Sequence, residues 1–419
     1  MKPPHDESRA PVRLRPEGGP FWRAAGGFDT AVRLLADDAA VETLRDDGPL
    51  SQLRQVAGLP GIMPPIVAMP GLASALGVPR PCVIVADSAC GGVVIPAAVG
   101  HGIGNGTHAV ALPWEGAAIQ ERAEAIAQAL RSALSSTDTP MDDPAFDAVC
   151  TGGIAWGVEQ GWGHADDAAA CEHRGAMTGA DPAALSNIAR SYGRAQFGIL
   201  DGDGAFASIF QVESRGKGTA FGLEQGQAVL IVRAGSRALG HQVTEDAIES
   251  MARASLQHRI RVPQRALACV PAHSLEGRVY LAGMAAAVNF AAAHRQYLAH
   301  RSIAGIQRVL GDETTASGAR VMAEHTHQSA SIQLIREDGN ARRPMLVHRK
   351  GCIALDAESG RLCVLTAAKG NEAWLVAPGP GARSTFHSAS DLADAGALRV
   401  QREAKIVRVI ALLKAIVNA

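Results

Sequence analysis

Residues 268–301, ACVPAHSLEGRVYLAGMAAAVNFAAAHRQYLAHR, constrain the fold more than any other stretch. Pro271 lies near the start, Ser274 is placed to cap a helix, and Glu276 puts a carboxylate in its first turn, where the helix dipole favours it. Up to about residue 310 nothing interrupts a helical pattern except the isolated Gly277, Gly283 and Gly305. The middle is almost all small: Ala282, Gly283, Ala285, Ala286, Ala287, Ala291, Ala292 and Ala293. Small residues on several faces let neighbouring backbones approach from several directions, so the sequence predicts a buried central helix. The apolar run 279–293 contains Asn289 and falls short of the roughly 20 residues that span a bilayer. Inside such a helix Asn289, His294, Arg295 and Gln296 must each find a partner, because buried polar groups are hydrogen-bonded.

A chain of 419 residues can bury a sizeable core in one large or two medium domains. Its formal net charge is −1, so no global basic field advertises nucleic acid, although local phosphate sites are compatible with that balance. Seven scattered cysteines form no CxxC pair, which argues against a zinc knuckle or a disulfide framework. The first residues, MKPPHDESRAPVRLRPEGG, lack the apolar core of a secretory signal. The expectation is a reduced, cytoplasmic protein with no membrane partner.

Along the chain, residues 1–27 are rich in Pro, Gly and charge and read as a flexible appendage. Residues 28–419 read as one α+β domain. Helices are expected at 28–56, 115–136, from 145 onward, at 183–193 (Asp181 as cap, Pro182 in the first turn) and at 315–328. Strands are expected at 208–212, 228–232, 331–336, 344–348 and 361–366, and residues 405–417 read as helix or strand.

The central helix also carries the pattern P-x-x-S-x-E-G-x-x-Y-L-x-x-M-x-x-x-x-N-F-A-x-x-x-R-Q, from Pro271 to Gln296. This resembles the long helix of the RtcB-type RNA-splicing ligases, with His294 where that family has Asn. The likeness runs from about Leu50 to the end, through QLRQVAGLPGIMPPIVAMP, IPAAVG, ADPAALS, GRAQFG, GSRALGHQV and MLVHRKG. It implies an α+β, RtcB-like single domain whose family reaction uses GTP and manganese to join an RNA 3′-phosphate or 2′,3′-cyclic phosphate to a 5′-hydroxyl. A histidine takes GMP covalently, and metal ions held by one Asp, one Cys and several His polarise phosphoryl oxygens.

Position by position, most of those ligands are replaced. The family's D-x-G-C-G falls on residues 102–106, so Asp becomes Gly102 and Cys becomes Asn105. G-N-H-F falls on Asp203 to Phe206, placing Ala205 at a ligand His. H-S-G-S-R falls on Arg233 to Arg237, placing Arg233 at another, and M-P-D-x-H falls on Met69 to Ala73. The guanine-contacting terminal Lys falls on Asn418. His327 keeps a family ligand position, with His325 the alternative alignment, and His387 keeps the nucleophile position. After His387, however, Ser-Ala-Ser-Asp replaces the family's Gly-Ala-Gly-Arg. Arg194, Arg237, Arg349 and Lys350 keep family phrases and are the candidate substrate-binding residues.

Gly and Ala offer no donor atoms, and an arginine sets positive charge beside a cation. The resemblance therefore implies an RtcB homologue with a degenerate catalytic centre, binding neither GTP nor Mn²⁺ as the family does. It would bind RNA ends, or a protein partner such as an active ligase paralogue. The alternative is an active GTP- and Mn²⁺-dependent ligase with relocated ligands, for which Asp87 and Cys90 offer a second D-x-x-C-G spacing about fifteen residues upstream. Each conserved-looking arginine, and both histidines, also admit an ordinary packing or ion-pair role.

Overall fold

The computed structural model describes residues 12–44, 47–136, 141–202, 204–216, 221–311, 318–336, 342–367, 370–379, 385–389, 391–392, 395–405 and 407–418. The chain enters through the hairpin β1 (Arg13–Gly18) and β2 (Phe21–Ala25). Then come β3 (Val32–Leu35), helices α1 (Asp38–Thr43) and α2 (Asp47–Ala57), and strands β4 (Ile62–Ala73), β5 (Arg80–Ala86), β6 (Val93–Val94) and β7 (Gly106–Glu115). Helices α3 (Gly116–Glu121), α4 (Ala123–Leu134), α5 (Asp143–Gly152), α6 (Ile154–Glu159) and α7 (Asn187–Gln196) follow. Strands β8 (Phe206–Arg215) and β9 (Gln227–Ala234) lead to α8 (Ala238–Gln257), β10 (Val270–Pro271) and α9 (Leu275–Leu310). The distal part runs through β11 (Arg320–Thr326), β12 (Gln328–Arg336), β13 (Arg342–Lys350), β14 (Cys352–Asp356), β15 (Cys363–Ala367), β16 (Glu372–Pro378), β17 (Thr385–Ala389) and β18 (Asp391–Leu392). Helix α10 (Ala395–Glu403) and strand β19 (Val407–Asn418) close it.

Two large sheets organise these elements. One has the order β1-β2-β3-β4-β5-β13-β12, the other β11-β7-β9-β8-β19-β16-β15-β18, and the pairs β10-β6 and β14-β17 are small additions. Nearly all pairings are antiparallel, β3–β4 and β15–β18 being parallel. The central strands β7 and β9 are buried on both faces, so they read as apolar runs rather than alternating ones.

Helix α9 joins the layers. It begins where its sequence predicts: the Ser274 hydroxyl accepts the Gly277 N–H at 3.1 Å, and Glu276 lies in the first turn. It ends on Gly311, whose φ of +68° is a conformation glycine adopts without penalty. Helices α4, α5 and α8 pack around it, and β7 and β9 lie against another face. The alanine-rich surface is used for close approach. A Cβ added to Gly104, in the turn before β7, would lie 2.7 Å from the Ala291 Cβ and 3.1 Å from the Val288 Cα.

The α+β single domain is as the sequence predicts, with four local corrections. Of the supposed appendage 1–27, residues 13–25 are strands of the first sheet, with Arg13 opposite Ala25, while residues 1–11 lie outside the described set. Charged side chains there sit on exposed strand positions, and their abundance concealed the pairing. Residues 28–56 include a strand, β3, before their helices. The helix expected at 183–193 begins later, capped by the Ser186 hydroxyl on the Ala189 N–H, and Asp181 caps a separate short turn at Pro182–Ala184. Of the helix expected at 315–328, residues 315–317 lie outside the described set and residues 320–326 are instead strand β11. Pairing with β7 buries most of it, and tertiary context overrides a weak local preference.

Replacing Ala291 with Leu inserts methylenes where the turn at Gly104 meets the helix. We expect Ala291→Leu to cost roughly 1–3 kcal/mol or more by overpacking, read as a lower urea midpoint at unchanged slope. A variant as stable as the parent would show that the helix and this turn are not closely packed.

Candidate functional site

The polar residues of α9 have the partners their burial demands. Asn289 accepts the Met177 N–H at 2.6 Å and donates to the carbonyls of Cys150, Thr151 and Met177, tying the end of α5 to the loop before α7. The fully buried Arg295 donates through Nη1 to the carbonyls of Gly104 (2.6 Å) and Ala234 (2.7 Å). Its Nε and Nη2 engage the Glu324 carboxylate, whose other oxygen meets His108 Nδ1 at 2.9 Å. Burial alone would raise the Glu324 pKa, but Arg295 and then His108 outweigh it and hold the carboxyl below its ordinary value. One helix side chain thereby ties together the turn before β7, the end of β9 and strand β11.

Those strand ends are where the positions that the resemblance singles out meet. Gly106 is the cross-strand partner of both Ala234 and Thr326, and Arg233 lies between Thr107 and Phe206 on its two neighbours. The Asn105 carbonyl accepts the His327 N–H at 2.6 Å. Residues 102, 105, 205, 233 and 327, far apart in sequence, thus cluster around one end of β7, β8, β9 and β11. The space beside Gly102 is taken: a Cβ there would lie 1.9 Å from the Gln328 Oε1. Gln328 thus occupies the volume an aspartate at this position would need. Arg233 donates to the Thr366 hydroxyl at 3.2 Å.

His327 is buried, with its Nε2 3.2 Å from the Thr107 hydroxyl. Burial, then Arg233, His325, Arg295 and Arg349, press its pKa well below the usual imidazole value. His325, whose ring centroid lies 5.1 Å away, accepts the Val364 N–H through Nε2 and is lowered to about 4, chiefly by burial. Both rings are therefore neutral near pH 7, in surroundings whose nearest charges include three arginines.

Of the four candidate substrate-binding residues, two belong to the interior. Arg349 is fully buried and pairs with Glu172, also donating to the Thr326 carbonyl and the Ser329 hydroxyl. The Lys350 ammonium donates to the carbonyls of Leu76, Val78 and Ala97 at 2.6–2.9 Å, and burial lowers its pKa to about 8. Their charges are taken up in packing β13 against the loops around it. Arg194 and Arg237 remain partly exposed. Arg194 pairs with Asp143 at the start of α5, and Arg237 meets Asp201 at 3.1 Å. Arg237 has φ +61°, a left-handed conformation rare for a non-glycine residue, which the preceding strand and following helix hold in place.

The upstream Asp87–Cys90 spacing is a turn, with Asp87 Oδ1 accepting the N–H groups of Ala89 and Cys90 and Oδ2 paired to Arg343. Asp87 and Cys90 are not among the described clusters of metal-donor side chains. His387 is placed by register opposite Ala354, and its side chain lies outside the described residues. Sequence reasoning missed Glu324, His108 and Gln328. The unpaired polar residues of α9 were the available signal that such partners exist, but nothing local identifies them.

Comparison with known proteins follows this geometry. The family described as "RtcB: tRNA-splicing ligase RtcB" matches residues 52–413. The chain is similar to a tRNA-splicing ligase RtcB of Archaeoglobus fulgidus, 34% identical over 310 residues, which are 72% of this chain and 64% of that relative. It is similar to an RNA-splicing ligase RtcB of Mycobacterium bovis, 36% identical over 72% of this chain and 70% of the relative. A tRNA-splicing ligase RtcB of Pyrobaculum aerophilum is 30% identical over 90% of this chain and 81% of its own length. The chain thus spans less than two thirds of the Archaeoglobus relative. Among the described residues no helix is long and apolar enough to cross a membrane.

The Arg349–Glu172 pair predicts a pH dependence. Burial would raise the Glu172 pKa, but Arg349, then His173 and the Thr326 N–H, lower it from 4.5 to about 2. A depressed carboxyl contributes stability that is complete above its unfolded pKa and lost as pH falls through its folded one. On the order of 3 kcal/mol should therefore disappear between about pH 4.5 and 2. In Glu172→Gln that part of the acid limb should flatten, alongside a lower stability at neutral pH. Parallel urea-midpoint profiles of parent and variant across this window would exclude the linkage.

Proposed function

The chain belongs to the RtcB family of RNA-splicing ligases, and from that premise we propose that it is a non-catalytic member that binds RNA ends. The observation carrying this reading is that Gly102 and Ala205, which offer no side-chain donor, and the cationic Arg233 stand together at the clustered strand ends. A two-metal centre needs several anionic or neutral donor atoms on each ion. Here Gly102 and Ala205 bring none, Arg233 brings a positive charge, and His327 is ringed by Arg233, Arg295 and Arg349. The residues present do not fit a pair of Mn²⁺ ions, and no step of a reaction is derived through them.

A terminal phosphate suits this centre because guanidinium groups pair with phosphate oxygens in two-pronged geometry. Arg237 is the arginine best placed to do so. It lies four residues beyond Arg233, projects its Nη1 over Gly202, and has as its pair the exposed carboxylate of Asp201, which a phosphate can displace. Arg194, also paired to an exposed carboxylate, offers a second contact for the RNA backbone. The fold and surface charge would thus have outlasted the chemistry. Ligand clusters often sacrifice stability for function, so their loss need not weaken a domain.

Two measurements test the proposal. Incubated with GTP and Mn²⁺, the purified chain should gain no GMP, read as the intact mass, and should not join RNA. A stoichiometric adduct lost in His387→Ala would instead make it an active ligase with relocated ligands. RNA bearing a 3′-phosphate should bind with a steep salt dependence. Arg237→Ala should weaken that binding roughly tenfold and reduce the salt slope by about one. If no RNA end binds at all, the reading fails and a protein partner becomes the subject to pursue.

A further inference from the structure

On the outer side of the turn that carries Gly102, a cluster independent of the clustered strand ends is formed by His101, His241 and Glu245. Among the described residues it is the one group of three His, Cys, Asp or Glu side chains whose donor atoms all lie within 4.8 Å of one another. We propose that these three residues form a site for a divalent transition metal of the Zn²⁺ class, with at least one coordination position open to water.

Local structure explains why they meet. His241 and Glu245 are one turn apart on α8, so they share a face of the helix. His101 comes from the turn packed against that helix. The Thr244 hydroxyl donates to the Gly100 carbonyl at 2.9 Å, the Ser236 hydroxyl donates to the Ile103 carbonyl at 2.6 Å, and Gly240 lets the His101 backbone approach. One hydrogen bond anchors the backbone on each side of His101, so its ring is presented to α8 by a fixed backbone. Such support is what a preorganised metal site requires.

The side chains already lie close. His101 Nε2 is 2.5 Å from Glu245 Oε1, and the two imidazole rings stack with centroids 4.0 Å apart. Two imidazoles and one carboxylate are a donor set used by open zinc sites, whereas Mg²⁺ and Ca²⁺ prefer all-oxygen shells. Bonds of about 2.0–2.2 Å require neighbouring donors roughly 3–3.5 Å apart, so the looser pairs must close by about 1 Å. The His101 and Glu245 side chains, 35% and 44% exposed, are free to make that adjustment. The metal takes the place of the His101–Glu245 hydrogen bond, and His101 donates its Nε2 lone pair as the Nδ1–H tautomer. Burial, then His101, lowers the His241 pKa, which leaves its imidazole neutral and ready to donate.

This site shares no residue with positions 102, 105, 205, 233 and 327, and it stands whether or not the chain binds RNA. The test uses the full chain, stripped with chelator and titrated with Zn²⁺ by calorimetry. One equivalent should bind, excess Mg²⁺ should not compete, and Glu245→Gln and His241→Ala should each weaken binding roughly tenfold or more while leaving the circular dichroism unchanged. Bound Co²⁺ should give visible ligand-field bands without thiolate charge transfer, which distinguishes this site from the exposed Cys90. Absence of Zn²⁺ uptake, uptake indifferent to both substitutions, or a thiolate band from the bound equivalent would each overturn the assignment.

Discussion

The guanidinium of Arg295 lies in the interior, and much of the architecture is arranged to satisfy it. A charge removed from water is tolerated only when it is paired and its remaining donors are hydrogen-bonded. Glu324 supplies the counter-charge, His108 satisfies the far carboxylate oxygen, and the carbonyls of Gly104 and Ala234 take the last donors. These partners come from two strands, a turn and a strand end. Satisfying one side chain of α9 therefore fixes the relative positions of the helix, the second sheet and the turn through residues 102–105. Such a pair adds little net stability compared with a well-packed apolar core, but breaking it would leave an uncompensated charge, so it enforces one arrangement.

The replaced positions stand on that arrangement without contributing to it. Gly102, Asn105, Ala205 and Arg233 lie at strand ends whose backbone is held by Arg295, by the His327–Asn105 hydrogen bond and by the sheet ladder. That backbone is held independently of the side chains at positions 102, 105, 205 and 233. Gln328 fills the room beside Gly102, and burial with nearby arginines keeps His327 neutral. The same turn, viewed from its outer side, presents His101 to α8. Inner and outer faces of one rigid loop are then available to different chemistry, because its backbone is anchored on both sides.

Residue type alone does not separate the buried from the exposed arginine and lysine positions. Arg349 and Lys350 carry the charges expected of phosphate binders, yet Glu172 and three backbone carbonyls take them up. Arg194 and Arg237 differ from them in exposure rather than in chemistry, and exposure depends on which elements pack over each side chain. Asp87 and Cys90 give a similar lesson: their spacing matches a ligand motif, but a side chain accepting the N–H groups two and three residues on produces the same spacing as a turn.

Local signals in the sequence determined the central helix, because Ser274 caps its start, Glu276 suits its first turn and its small residues permit packing on several faces. They also determined the α+β character and the presence of buried polar residues needing partners at Asn289 and Arg295. Gly102, Asn105, Ala205 and Arg233 could be singled out by the family-like phrases around them, although nothing local showed that they meet. Only the tertiary structure decided that residues 320–326 form a strand, that residues 13–25 join a sheet, and that Glu324 and His108 answer Arg295. It alone brought His101 to His241 and Glu245, across 140 residues of chain. The physical reason is common to all of these. Caps, propensities and periodicity act within a few residues, whereas strand pairing, burial and charge compensation depend on groups that become neighbours when the chain closes.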